Sequence, residues 1–171
     1  IGQEMDEGEL AISNSTPLCR FTPPAPALAD APVSPAGNAP ARGVSYVDNA
    51  IHDASAPVVM FALEWCEFSW SVRRFLQARG VPYRSVDLDS VGLQKDGLAG
   101  DIRSALRVRT GQPTIPQIFI GGSHVGGAVD VLSQHDSGEL DRLLQHAGVA
   151  ATGKVTDARS YLPKWIASRP Q

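Results

Sequence analysis

Pro57-Val58-Val59-Met60-Phe61-Ala62-Leu63-Glu64-Trp65-Cys66-Glu67-Phe68-Ser69-Trp70-Ser71-Val72-Arg73-Arg74-Phe75-Leu76 changes its hydrophobic period midway, and that change decides the fold. Up to Leu63 the run is continuously apolar and β-prone, as a strand in a sheet covered on both faces requires. Beyond Cys66 the apolar residues Phe68, Val72, Phe75 and Leu76 recur at helical spacing. Cys66 stands at the junction. The unpaired N–H groups and positive dipole end of the coming helix favour thiolate over thiol there, and the thiolate is the nucleophile. Cys66 is thus the candidate nucleophile of the chain.

Working outward, Gly80 supplies a left-handed helix end and Pro82 blocks continuation. Tyr83 to Leu88 reads as a second strand, reached by a strand–helix–strand crossover. Val44, Val47 and Ile51 share helical spacing and place a short helix before the first strand. Asp89 to Gly100 reads as polar and irregular, and Ile102, Ala105, Leu106 and Arg109 mark a helix that stops near Thr110-Gly111. Gln117 to Ile120 is a strand, Gly121-Gly122 a two-residue hairpin turn, and Ser123 to Val125 the returning strand. Leu140, Leu143, Leu144 and Ala147 form the face of a last helix, with Ser137 as candidate N-cap and Gly148 past its end. This order predicts an α/β domain in which a small four-stranded mixed sheet is sandwiched between helices, the thioredoxin-like arrangement.

The domain is expected over residues 44–149. Residues 1–43 hold an acidic segment, Glu4 to Ile12, and a linker in which thirteen of the twenty residues from Thr22 to Ala41 are Pro or Ala. Residues 150–171 form a C-terminal extension whose apolar knot, Tyr161 to Ile166, is expected to dock on the domain or on a partner. An apolar fraction of 43% supports a packed core. A net charge of -3 with no lysine–arginine cluster argues against nucleic acid, and Arg73-Arg74 and Arg107-x-Arg109 read as solvated helix faces. Val58 to Leu63 is too short to span a bilayer, so no membrane partner is expected. Cys19 and Cys66 are too few for a disulfide framework, and a reducing, cytoplasmic location is the expectation. Acidic residues near the N-terminus argue against a targeting peptide. The first residue, Ile1, suggests processing or a piece of a longer polypeptide, with an upstream fused domain as one option.

Three segments then resemble the glutaredoxin family, over about Val44 to Ala147. They are Trp65-Cys66-Glu67-Phe68-Ser69, then Arg109 to Gly122 around Thr114-Ile115-Pro116, then His124-Val125-Gly126-Gly127-Ala128-Val129-Asp130. A lone C-x-x-S is weak; the three in order are specific. The resemblance implies a glutathione-dependent thiol–disulfide oxidoreductase, an electron-transport enzyme acting on glutathione and glutathionylated proteins. Cys66 would attack a protein–glutathione mixed disulfide and keep the glutathione, and a second glutathione would release it. A thiol pKa in the lowered range of ~3.5–7.5 suits both steps. Thr114-Ile115-Pro116 would be the family's cis-proline loop, offering the Ile115 N–H and C=O to the cysteinyl backbone of glutathione. Gly126 and Gly127 would let the backbone approach the ligand. The N–H groups of Ala128 and Val129 would hold the γ-glutamyl carboxylate, and Asp130 either the ammonium group or its own helix N-terminus. Arg109 and Gln112 are candidates for the glycyl carboxylate, and Trp65 and Phe68 for the walls of the glutathione site. The reading expects an accessible sulfur facing a tripeptide-sized groove at Pro116.

The chain also departs from the family. Leu63 stands where many glutaredoxins carry a lysine three residues before the cysteine, so Arg109 or Arg73 would have to substitute, or the thiol is less acidic than in lysine-bearing relatives. Ser69 stands where dithiol relatives carry a resolving cysteine; it leaves a monothiol route and a hydroxyl that can donate to the Cys66 thiolate, and it is native or an engineered replacement. Trp65 is expected to pack beside the site and shield it, and His124 to lie at the surface. No protein-built metal site is expected. Two alternatives stand beside the catalytic reading. Cys66 could hold a [2Fe–2S] cluster in a dimer with two glutathiones, although Glu67 replaces the glycine of that subgroup. Alternatively, the chain could be a non-catalytic module that docks glutathione or a redox partner within a larger fusion; without a cluster a monomer is expected.

Overall fold

The structure is a computed structural model and describes residues 38–167. Cys19, the acidic segment and nearly all of the Pro/Ala-rich stretch lie outside the described residues. Helix α1 (Ala41–Ile51) leads into strand β1 (Val58–Ala62), helix α2 (Glu67–Ala78) and strand β2 (Arg84–Asp87). Helices α3 (Val91–Gln94) and α4 (Leu98–Thr110) follow, then strands β3 (Gln117–Ile120) and β4 (Ser123–Gly126). Helices α5 (Ala128–Asp136), α6 (Glu139–His146) and α7 (Lys164–Ala167) complete the order.

One four-stranded sheet has the order β2-β1-β3-β4. β1 runs parallel to β2 and antiparallel to β3, and β3 runs antiparallel to β4. All five residues of β1 are buried because helices cover both faces. Val58, Met60 and Ala62 pack with Val72, Phe75 and Leu76 of α2, Val131 and Leu132 of α5, and Leu140 and Leu144 of α6. Val59 and Phe61 point the other way, onto Val47 and Ile51 of α1 and Ile102 and Leu106 of α4. Strand alternation thus divides one apolar run between two cores. The thioredoxin-like sandwich expected from the element order is the observed fold.

Four details differ from expectation. Asp89 to Gly100 is largely helical: Ser90 starts α3, a left-handed Asp96-Gly97 pair interrupts the path, and α4 begins at Leu98. A helix, α5, lies where the element order had none, although a helix N-terminus was one reading of Asp130; only Ala128, Val131 and Leu132 of it are buried, a stripe too short to stand out beside the glycine pair. Ser137 is not the N-cap of α6: Gly138, with φ 78°, takes that place, and the Ser137 hydroxyl donates back to the Gln134 carbonyl at 3.1 Å. Arg73 is no solvated residue, since its guanidinium pairs with Asp87 at 2.5 Å and lies over Trp70. Among the described residues no helix is long and apolar enough to cross a membrane.

The C-terminal segment docks on the domain. Gly153 N–H donates to the Arg79 carbonyl at 2.9 Å, and Ala158 and Leu162 join the core beneath α2.

Candidate active site

Sheet topology gathers the three motif segments at one end. Phe61 of β1 is opposite Gln117 of β3, so the chain leaving β1 toward Cys66 passes the chain entering β3 from Pro116. Ile118 pairs with Gly126, which brings the end of β4 to the same edge. A Cβ built on Gly127 would lie 3.5 Å from the Pro116 carbonyl oxygen, so those two segments touch.

Cys66 is the N-cap of α2 in extended conformation, as the change of period requires. Its N–H donates to the Leu63 carbonyl at 3.3 Å, closing a turn, and its own carbonyl accepts from Trp70 N–H at 3.1 Å. The turn sends neighbouring side chains in opposite directions. Cys66 points inward with 1% exposure, and Trp65 stands out at 87%. Both findings correct the sequence reading, which expected an accessible sulfur and a shielding tryptophan. Cys66 is buried with the core residues that flank it in the chain, Ala62 and Val72. The surface groove formed by Trp65, Glu67, Trp70 and Arg74 runs beside it, without a wall from Cys66 or Pro116.

Ser69 is fully buried, and its hydroxyl oxygen accepts from Leu63 N–H at 3.2 Å. Among the described residues no hydrogen bond joins it to Cys66; the turn takes the oxygen instead. Leu63 itself packs half-buried on the α1/α4 core. Neither arginine considered as a substitute for the missing lysine is free: Arg109 pairs with Asp48 of α1, and Arg73 with Asp87.

Asp89, which sequence reasoning passed over, holds the turn that leads into Cys66. Its carboxylate accepts from Glu64 N–H at 2.8 and 2.9 Å and approaches Trp65 N–H at 3.4 Å. The parallel register, Ala62 with Asp87, places the residues after β2 beside the residues after β1. An acidic residue directly behind the second strand was the available signal.

The Ile115–Pro116 bond is cis, with Pro116 buried and Ile115 half-buried. Among the described residues nothing pairs with the Ile115 backbone, so its N–H and C=O are available to an extended ligand. Gln117 was also missed. It is 1% exposed, and its amide donates to the carbonyls of Gln112 at 2.8 Å and Thr114 at 3.1 Å while accepting from the Thr110 hydroxyl at 3.2 Å. A polar residue at a buried strand position has to spend its amide on nearby backbone, and here that shapes the whole 110–116 loop. Gln112 and Thr114 are exposed on that loop.

Gly126 adopts φ 125°, and Gly127 the extended φ -90°, ψ -165°. Asp130 accepts from Gly127 N–H at 2.8 Å with Oδ2, capping α5. Ala128 and Val129 open that helix, Val129 exposed and Ala128 buried. His124 is not the surface residue expected. Its ring lies tilted at 48° against Phe119 with centroids 5.0 Å apart, its Nε2 is buried without a partner among the described residues, and burial pushes its imidazole below the ordinary value near 6.5, against a smaller opposing pull from Asp130.

Comparison with known proteins agrees with this fold. The glutaredoxin family model matches residues 58–125. Glutaredoxin-C4, chloroplastic, of Oryza sativa subsp. japonica is 40% identical over 66% of this chain and 82% of that protein. Monothiol glutaredoxin-S12, chloroplastic, of Arabidopsis thaliana is 36% identical over 55% of this chain and 50% of that protein. A crystal structure of a buckwheat glutaredoxin–glutathione complex superposes with TM-score 0.57 and 29% identity, covering 64% of this chain and 93% of that one. With sequence and fold in agreement, the chain belongs to the glutaredoxin family of oxidoreductases.

Proposed function

We propose that this chain reduces mixed disulfides between proteins and glutathione by a monothiol route, with Cys66 as nucleophile. The observation that carries the reading is the meeting of Cys66, the Pro116 loop and the Gly127 turn at one end of the sheet, with Ser69 where a second thiol would stand.

In the first step the Cys66 thiolate attacks the glutathione sulfur of the mixed disulfide. The protein–glutathione bond breaks, the protein thiolate leaves and takes a proton from water, and Cys66 carries the glutathione. A second glutathione, as thiolate, attacks the glutathione sulfur on Cys66. Oxidised glutathione departs and the Cys66 thiolate is restored. Ile115 offers its N–H and C=O to the cysteinyl backbone of the ligand. The N–H groups of Ala128 and Val129 receive the γ-glutamyl carboxylate, and Asp130 Oδ1 faces the ammonium group. Gln112 on the loop is the better placed reader of the glycyl carboxylate, since Arg109 would first have to leave Asp48. Ser69 keeps the turn closed through Leu63 N–H. Attack also requires the Leu63–Cys66 turn to lift the sulfur outward, against the hold of Asp89.

The [2Fe–2S] reading fits these residues less well. Glu67 and the exposed Trp65 flank Cys66, and Glu67 stands where that subgroup carries the small glycine, which leaves less room beside the sulfur for a cluster.

The test is exposure of the native chain to oxidised glutathione, with intact mass and separate mapping of Cys66 and Cys19, beside a glutathione-coupled assay on a small mixed disulfide. One glutathionyl adduct on Cys66 and loss of turnover in Cys66→Ser are expected. An unmodified Cys66 in the folded protein, or turnover that survives the serine variant, overturns the reading.

A further inference from the structure

The C-terminal segment crosses the end of α2 at Gly153 and runs back along the helix to its start. A Cβ on Gly153 would lie 1.9 Å from the Ala78 carbonyl oxygen, so the crossing is tight enough to require glycine. Tyr161 meets Phe75 edge-on at 5.8 Å, and its carbonyl accepts from the Arg74 guanidinium at 3.3 Å. Beyond it, Trp165 reaches the motif that carries the nucleophile. Its indole N–H donates to Glu67 Oε1 at 3.1 Å, and its ring stands edge-on to Phe68 at 5.9 Å and 81°. Glu67 and Phe68 are the two central residues of the Cys66-to-Ser69 motif.

Glu67 is an awkward neighbour for this chemistry. Its exposed carboxylate is carried by the residue next to Cys66, while both reacting partners are anionic: the thiolate, and a tripeptide with two carboxylates and one ammonium. A carboxylate free to rotate there would repel both. The Trp165 indole fixes it instead, toward the C-terminal segment.

We propose that Trp165 is a positioning residue that holds the Glu67 carboxylate off the path of anionic reagents to Cys66, so that the C-terminal segment sets the glutathione affinity of the site. The glutathione part rests on the reaction proposed above; the electrostatic part does not. The segment acts through charge placement, and releasing Trp165 lets Glu67 swing toward the nucleophile.

The experiment compares the full chain with Trp165→Phe, Glu67→Gln and the double variant. Phenylalanine keeps an aromatic edge against Phe68 and removes the indole donor. Trp165→Phe is expected to raise KM for glutathione about two- to fivefold, the size of an exposed charge effect, with kcat held within about twofold. High salt should shrink that rise, because the screening length falls from about 10 Å at 0.1 M to about 3 Å at 1 M. In the Glu67→Gln background Trp165→Phe should change KM little. A second readout needs no turnover: the rate of Cys66 alkylation by anionic iodoacetate relative to neutral iodoacetamide should fall about two- to fivefold in Trp165→Phe. An unchanged alkylation ratio, or a KM rise that persists undiminished in the Glu67→Gln background, overturns the proposal. Loss of turnover in the unmodified chain with the alkylation ratio still shifted would fault the glutathione reaction and leave the positioning role standing.

Discussion

Gly126 and Gly127 are adjacent and look equivalent in the sequence, yet the structure separates their roles enough to test. Gly126 holds φ 125°, a region that side chains avoid, and a Cβ there would stand 2.4 Å from Asp130 Oδ2 and 2.6 Å from Asp130 Cβ. In Gly126→Ala the backbone strain costs about 1–3 kcal/mol. Displacing Asp130 also removes the acceptor of Gly127 N–H, a capping loss of about 1 kcal/mol. The sum is a destabilisation of roughly 2–4 kcal/mol. Gly127 is different. Its extended backbone suits any residue, and a Cβ would meet the Pro116 carbonyl at an ordinary 3.5 Å. For Gly127→Ala the poorer N-cap and the stiffer unfolded chain offset each other, leaving stability within about 1 kcal/mol. The added methyl, however, enters the space between Pro116 and α5 where the ligand is proposed to lie. Urea unfolding and glutathione KM on both variants separate the two effects. Gly126→Ala should lose stability, whereas Gly127→Ala should keep it and raise KM. Equal stability losses, or a Gly126→Ala protein as stable as the parent, would refute the reasoning.

Two further outcomes follow from the same geometry. Gln117→Leu leaves the Gln112 and Thr114 carbonyls without their donor; it should cost about 1–3 kcal/mol in denaturant unfolding and raise glutathione KM, and an unchanged KM would mean the amide does not shape the ligand loop. His124 has a lowered folded value, so below about pH 6.5 the unfolded chain binds the extra proton. Its contribution to stability is therefore fully present above that pH and is lost on acidification toward the lower folded value. His124→Gln should flatten the fall in unfolding free energy between about pH 7 and 5, and a slope identical to the parent's would count against burial as the cause.

Much of the site was legible because its signals are local. A continuous apolar run of strand length, a helical stripe starting after Cys66 and a Gly121-Gly122 turn each specify short-range conformation, and their order specifies the layer architecture. The resemblance supplied the cis-proline loop on short motifs alone. Less legible were the short or weakly patterned helices α3 and α5. Also hidden was the real inner face of α1, where Gly43 lets the helix approach Asp101 while Val44 stays partly exposed.

By itself, the sequence determined most of the secondary elements and the sandwich, and singled out Cys66 as the candidate nucleophile, since periodicity and chain order are written residue by residue. Tertiary structure alone decided which groups serve that nucleophile. Asp89 is 25 residues from Glu64, Asp48 is 61 from Arg109, and Trp165 is 98 from Glu67. Directional hydrogen bonds between such distant residues depend on strand register and on the path of the tail, neither of which leaves a local pattern. The inward turn of Cys66 beside an outward Trp65 has the same origin: a closed turn, held from a neighbouring strand, chooses which side chain meets water.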